Sequence, residues 1–498
     1  MATTNFPAMG STPTLGVAGC ASQPADCAMR ETGFERFRAF EVSREGAKNC
    51  ACGGALPFLQ GRPEQRLQPV REDVNPPWPM VATKDGAHGV TSPARKYIAN
   101  LPTGWLSDCK SAMMKQFNTS NMAESNSTLN WLCTGDEVFP EMLAAIDAAK
   151  KSACLEIYVF QDSPLGIRFR EALVRACKRG AKVRVLVDAV GSYFLPAKFW
   201  DSLRSTGGEV RQFNPVTLKR LIIRNHRKLL VCDGRVAFVG GFNIATEYEG
   251  DGVKSGWCDV GLKIEGLLVA QLELSFEEMF ARAEFRHKRF TLLRKSDAKK
   301  TVALPKEQLL FSGPGRGRNP FKRALHKDLK RAKNVQMIIA YFLPTWRLRR
   351  ELKRVARHGG KVQLILAGKS DVLLSMLAAQ GLYRRFLNGN IEIYEYQPQI
   401  LHAKLIIVDD IVYLGSANLD TRSLHINYEL MIRFENRKIA DEARAIFSKN
   451  LKHCHRVTAE EWRRSRTFWR KLKQRWAYFL LNHLDPYLAR RQWRDLPD

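Results

Sequence analysis

Apolar positions recur at helical spacing over residues 137–150 (EVFPEMLAAIDAAK) and then run together over 154–160 (CLEIYVF), which predicts a helix followed by a buried strand. Residues 166–179 (GIRFREALVRACKR) predict an amphipathic helix closed by Gly180, and 183–187 (VRVLV) the next strand. The same order returns downstream. Residues 321–333 predict a helix, 335–343 (VQMIIAYFL) a strand, 346–358 a helix closed by Gly359, and 362–366 (VQLIL) a strand. Strands alternating with helices predict an α/β fold with buried sheets. Gly180 and Gly359 lie 179 residues apart, so the chain reads as an internal duplication: two similar halves about a pseudo-two-fold axis.

Upstream the pattern is lost. Residues 1–121 are rich in Pro, Gly, Ser, Thr and Ala, with breakers at Pro76, Pro77 and Pro79. They are expected to be a disordered extension, and Met122 is a candidate biological start, which would make the upstream stretch a gene-model artefact. Val17-Ala18-Gly19-Cys20 resembles a lipoprotein cleavage box, but no basic start or apolar run precedes it, so it fails as a signal peptide. The expected organisation is therefore 1–121 extension, 122–300 first half, 301–450 second half, and 451–498 a basic, aromatic helical tail.

Lys and Arg number 79 against 50 Asp and Glu, a net charge of +29 that points to a polyanion, either nucleic acid or an anionic membrane. No stretch approaches the length of apolar sequence needed to cross a bilayer, so any membrane contact would be at its surface. The 11 cysteines contain no C-x-x-C pair, and several sit in apolar runs, consistent with a reducing compartment.

The chemistry is carried by H-x-K-x-x-x-x-D, which occurs twice. One copy runs from His226 through Lys228 to Asp233, the other from His402 through Lys404 to Asp409. On a strand, residues i and i+2 share a face, so each His and Lys would enter one pocket. A small-residue turn and an amide follow each copy: Gly240-Gly241-Phe242-Asn243 and Gly415-Ser416-Ala417-Asn418. Small residues would let backbone N–H groups approach a ligand. One such His-Lys pair is commonly incidental. Two copies with the same spacing, turn and amide are not.

Two lysines and two amides suit the anionic oxygens of a phosphodiester. One His would attack phosphorus and the other would pass a proton to the leaving alcohol and take one from the incoming alcohol. The attacking ring must be neutral and the donating ring protonated, so their pKa values are expected to be pushed apart. Each His also needs a carboxylate on its other nitrogen. Asp259 and Glu429 follow the two motifs at comparable distances.

These residues resemble the phospholipase D superfamily, whose signature is this duplicated motif, over roughly 130–450. Within it the chain is most similar to bacterial cardiolipin synthases of the short type without N-terminal transmembrane helices. NHRKLLVCDGRVAFVGGFNIATEY, YFLP at 341–344 and LHAKLIIVDDIVYLGSANLDTRS carry the likeness. The resemblance implies two mixed sheets flanked by helices with one shared site. It implies His226 as nucleophile supported by Glu429, and His402 as general acid/base supported by Asp259. Lys228 and Lys404 complete the catalytic set, with Asp233 and Asp409 counted in it as anchors rather than proton carriers. Asn243, Ser416 and Asn418 would bind or orient phosphate. No metal and no cofactor are expected. The implied reaction is phosphatidyl transfer between two phosphatidylglycerol molecules, releasing glycerol. A phospholipase D or another phosphatidyltransferase is the alternative, then a nuclease, then a non-catalytic membrane scaffold. One departure is Ala367-Gly368-Lys369 where relatives often carry Pro.

Residues 316–333, 282–300 and 346–361 are strongly basic, and the segment from Trp462 to Trp493 interleaves aromatics with Arg and Lys. The tail is read as lying on anionic lipid, with a helix covering the sheet as the other reading. The partners expected are phosphatidylglycerol and a membrane surface, with no nucleic acid, and the expected place is peripheral, on the cytoplasmic face of the bacterial cell membrane. GPGRGR at 313–318 lacks the Lys-Ser/Thr of a phosphate loop and reads as a turn.

Overall fold

In the computed structural model the described residues are 127–215, 223–283, 298–465 and 467–484. The expectations for residues 1–121, for most of the basic stretch 282–300 and for the end of the aromatic tail lie outside them.

The first half runs β1 (Thr128–Leu132), α1 (Gly135–Ala148), β2 (Ser152–Ile157), α2 (Pro164–Lys178), β3 (Lys182–Asp188), a 3-10 turn, α3 (Asp201–Ser205), β4 (Glu209–Phe213), β5 (Leu229–Cys232), β6 (Val236–Gly240), β7 (Gly261–Glu265) and α4 (Leu267–Ala281). The second runs β8 (Lys300–Ala303), β9 (Glu307–Ser312), α5 (Pro320–Leu329), β10 (Asn334–Ile339), α6 (Trp346–Arg357), β11 (Lys361–Ala367), α7 (Leu373–Gln380), α8 (Tyr383–Leu387) and β12 (Glu392–Tyr396). It continues through β13 (Lys404–Val408), β14 (Ile411–Gly415), α9 (Thr421–His425), β15 (Glu429–Glu435), α10 (Arg437–Leu451), β16 (Cys454–Val457), α11 (Ala459–Arg464) and α12 (Phe468–Phe479).

The duplication is visible in the strand order. Among the described residues one sheet is β4-β3-β2-β5-β6-β7-β1, and the other contains β12-β11-β10-β13-β14-β15-β9. In each, the three strands at one end are parallel and the rest antiparallel. The second sheet adds β8 at one edge and β16 at the other. The second half therefore reaches past residue 450, and the segment after it is not only a helical tail. β16 pairs with β12, and Trp462 is buried against Tyr383.

Local chemistry sets the helix ends. Thr134 caps α1 and Ser163 caps α2, which also has Pro164 in its first turn. Gly180 and Gly359 follow α2 and α6 at φ +91° and +82°, the left-handed conformation that glycine adopts without strain.

Helices α1 and α2 cover the outer face of the first sheet, and α5, α6 and α8 that of the second. A third core joins the halves, with Phe276 of α4 and Phe447 of α10 packed among the inner faces of both sheets. The buried strands make both sheets rigid platforms. The motifs lie where those platforms meet.

Candidate active site

Neither motif His lies inside a strand. His226 and Lys228 precede β5, and His402 precedes β13, whose first residue is Lys404. Each lead-in is clipped to the other half by a short parallel bridge. The His226 N–H donates to Tyr428 O (3.0 Å) and the His402 N–H to Cys258 O (2.7 Å). Glu429 follows Tyr428 and Asp259 follows Cys258, so the backbone itself sets each ring beside the opposite half's carboxylate.

The side chains cross accordingly. His226 Nδ1 lies 3.1 Å from Glu429 Oε2 and 3.1 Å from the Ser416 carbonyl. Both partners only accept, so Nδ1 carries the hydrogen and Nε2 presents its lone pair. His402 Nδ1 lies 2.6 Å from Asp259 Oδ2, which fixes the same tautomer. All four groups are buried.

Each lysine folds back on its own motif. Lys228 Nζ donates to the His226 carbonyl (2.8 Å), and Lys404 Nζ donates to the His402 carbonyl and lies 2.8 Å from His402 Nδ1 and 3.1 Å from Nε2. Burial, reinforced by the neighbouring Lys404, lowers Lys228 to a pKa of about 7. Burial lowers Lys404 to about 8, against the pull of Asp259 and Glu429. Burial opposes charge on Glu429 and Asp259 too, but the His and Lys groups around them hold both carboxyls below their ordinary range.

The two rings are shifted in the same direction. Burial and the lysines lower His226, and burial followed by Lys404 lowers His402 to about 4. Lys228 and Lys404 both oppose a positive charge on the rings. Both shifts favour the neutral ring, where the sequence leads one to expect one neutral and one protonated ring.

Asp233 and Asp409 stand apart from this cluster. Both sit in hairpin turns after the motif strands with φ of +56° and +49°. Asp233 accepts the N–H groups of Lys150, Lys151 and Ser152, and Asp409 those of Lys333 and Asn334. They tie each hairpin turn to the start of β2 and of β10, at the strand end away from the histidines.

The small-residue turns serve the carboxylates. A Cβ at Gly241 would lie 2.1 Å from Asp259 Oδ1, and one at Gly415 2.1 Å from Leu430 O. Their smallness makes room for the Asp259 carboxylate and for β15, which begins at Glu429. Ser416 Oγ donates to Glu429 Oε2 (2.5 Å) and accepts from the Leu430 N–H (3.0 Å). Asn243 accepts from the Val159 N–H and donates to the Tyr248 hydroxyl, which lies 3.3 Å from His402 Nδ1. Asn418 Oδ1 is buried with no hydrogen-bond partner among the described residues.

Aromatic rings complete the walls. Tyr158 meets the His226 ring edge-on at 4.9 Å, while Tyr248, Trp257 and Tyr341 surround His402. Tyr158 and Trp257 carry no sequence signal beyond aromatic character, and only the tertiary fold brings them to the histidines. Among the described residues no cluster of three or more His, Cys, Asp or Glu is arranged to hold a metal ion.

Two motif-bearing halves that share one pair of histidines define a phospholipase D-like fold. The chain matches the family described as "Cardiolipin synthase, PLD-like domain" over residues 142–257 and 325–451. It is 31% identical over 383 residues to the cardiolipin synthase of Clostridium perfringens (strain SM101 / Type A), covering 74% of this chain and 80% of that protein. It is 31% identical over 373 residues to the major cardiolipin synthase of Bacillus subtilis (strain 168), covering 73% and 76%. The crystal structure of phosphatidylserine synthase from Haemophilus influenzae Rd KW20 shares the fold, with a TM-score of 0.56 at 14% identity over 74% of this chain and 95% of that one. The chain belongs to the cardiolipin synthase family of phospholipase D-like enzymes.

Proposed function

We propose that this protein is a cardiolipin synthase that passes a phosphatidyl group from one phosphatidylglycerol to another and releases glycerol. The observation that carries the reading is the pair of crossed His–carboxylate contacts, His226 with Glu429 and His402 with Asp259, within a family of cardiolipin synthases. His226 Nε2 attacks phosphorus, and the bond to the departing glycerol oxygen breaks as His402 gives it a proton. The terminal hydroxyl of a second phosphatidylglycerol then loses its proton to His402 Nε2 while its oxygen attacks phosphorus. The P–N bond breaks and His226 is restored. Lys228 and Lys404 hold the non-bridging oxygens, with Asn243, Ser416 and Asn418 as supporting donors and positioners. The diester's negative charge draws Lys404 from the His402 ring and lets that ring take the proton it needs.

The working surface is an anionic phospholipid membrane, contacted peripherally on its cytoplasmic side. No helix among the described residues is long and apolar enough to cross a membrane. Purified protein incubated without metal, with phosphatidylglycerol vesicles and separately with DNA, tests the reading. Diphosphatidylglycerol with an equivalent of free glycerol supports it. Phosphatidic acid alone moves the assignment to a hydrolase, and DNA cleavage without lipid turnover overturns it.

A further inference from the structure

The 179-residue offset that relates the halves also relates two exposed apolar loops. β3 begins at Lys182 and β11 at Lys361. The loops that leave them bring Tyr193 and Phe194 to one surface position, and Val372 and Leu373 to its counterpart. Tyr193 is 64% exposed and Phe194 82%, while Leu373 is 54% and the adjoining Leu374 45%. Large apolar side chains left this open at equivalent points of a duplicated fold need a partner.

Both loops are tied to the active site. Ser192, next to Tyr193, donates its hydroxyl to the Tyr158 carbonyl (3.1 Å), and Tyr158 packs on His226. Asp371, next to Val372, accepts from the Tyr341 hydroxyl at 2.8 and 2.6 Å, and Tyr341 faces the His402 ring. Each prong is thus two contacts from one of the two histidines.

The chemistry around the second prong names the partner. α7 starts at Leu373 and packs against α12 through Ala378 and Ala477. α12 exposes Phe468, Trp469, Trp476 and Phe479, and Lys471, Lys473 and Arg475 are exposed on the same helix. Aromatic rings interleaved with cations suit the interfacial layer of an anionic bilayer, where rings bury among headgroups and cations meet phosphates.

We propose that the Tyr193–Phe194 and Val372–Leu374 loops are paired prongs that insert into an anionic phospholipid bilayer on the two sides of the active site, with α12 as a cationic aromatic outrigger. Docked this way, the site takes its diester from the membrane surface, and the second lipid's hydroxyl arrives without bulk water. The choice of lipid as partner rests on the proposed function. The docking itself is measured without turnover.

The full chain is sedimented with vesicles of phosphatidylglycerol and phosphatidylcholine, and with phosphatidylcholine alone. Wild type is expected to prefer the anionic vesicles. The double variant Phe194→Asp/Leu373→Asp is expected to bind them at least tenfold more weakly, while turning over monomeric short-chain phosphatidylglycerol at the wild-type rate. Undiminished vesicle binding overturns the proposal, including the case in which the variant only dissociates a dimer, which would make the prongs an interface between copies. If the variant loses both readouts, amide exchange on the wild type decides. Slowing at 190–196 and 371–376 on adding anionic vesicles supports insertion, and unchanged exchange overturns it. Vesicle binding by this route without diphosphatidylglycerol formation would refute the proposed function and leave the docking intact.

Discussion

Glu429 of the second half lies 3.1 Å from His226 of the first, and the same clip that joins them pairs the Tyr428 backbone with the His226 N–H. With its mirror at Asp259 and His402, this contact makes the site a property of the two halves together. Neither motif histidine takes its carboxylate from its own half.

Glu429→Gln keeps the shape and removes the charge that steadies the His226 imidazolium-like state on phosphorus. It is expected to lower kcat by about 10²-fold or more, in the range of losses for general acid–base partners. Asp259→Asn is expected to cost a similar factor through His402. The two should separate in single turnover. Both slow the step that forms the covalent intermediate and releases glycerol, and a leaving group that needs no proton is expected to restore that step in Asp259→Asn but not in Glu429→Gln.

The lysines give the pH dependence its direction. Lys228 titrates near 7 and Lys404 near 8, both below the ordinary lysine value of 10.5. Their charge is present at pH 6 and is lost as pH rises through 7 and 8. KM for phosphatidylglycerol is therefore expected to rise through pH 7–8. Stability moves the other way. Between pH 7 and 10.5 the unfolded chain binds protons that the folded one has released, so these two groups add to stability as pH rises. KM and chemical denaturation measured at pH 6, 7, 8 and 9 check both slopes.

Asp233→Ala removes the acceptor for three backbone N–H groups and leaves a non-glycine residue at φ +56°. It is expected to cost about 1–3 kcal/mol of stability, with kcat and KM within twofold of wild type in the folded fraction. Asp233→Gly should recover the part of that loss due to backbone strain. A kcat loss at full stability would show that Asp233 acts in catalysis rather than as an anchor.

Trp462 is buried beside Tyr383 beyond the last family-matched residue, and β16 pairs with β12. Trp462→Ala is expected to destabilise the chain by about 3–5 kcal/mol. Truncation at residue 450 is expected to expose the β12 edge and cause aggregation. A soluble truncation with unchanged melting temperature would show that this segment is not part of the second half's fold.

The motif pair and the duplication are legible in the sequence because each is a local pattern that returns at a similar offset, 176 residues between the histidines and 179 between Gly180 and Gly359, and the pairing of the two carboxylates is legible through the family resemblance. Gly180 and Gly359 are legible for the same reason, since a helix stop is local. Other features are not. The Gly241 turn looks like a ligand cradle until the Asp259 carboxyl is found where a Cβ would sit. Tyr158 and Trp257 reach the rings only by tertiary packing. The lowered His402 depends on burial and on Lys404 lying against it, neither of which spacing reveals. β16 is a four-residue strand in a basic, aromatic stretch, and its pairing with β12 rather than its composition makes it a strand.

The central claim is a covalent phosphatidyl group on His226, set up by a carboxylate from the other half. The most direct measurement is rapid mixing of the protein with phosphatidylglycerol, quenching in neutral detergent, and mass spectrometry of the digested chain. The account predicts a phosphatidyl adduct on the peptide carrying His226, formed with one equivalent of glycerol, consumed as diphosphatidylglycerol appears, and absent from His226→Ala. Diphosphatidylglycerol formed by His226→Ala, or an adduct on His402 instead, would contradict it.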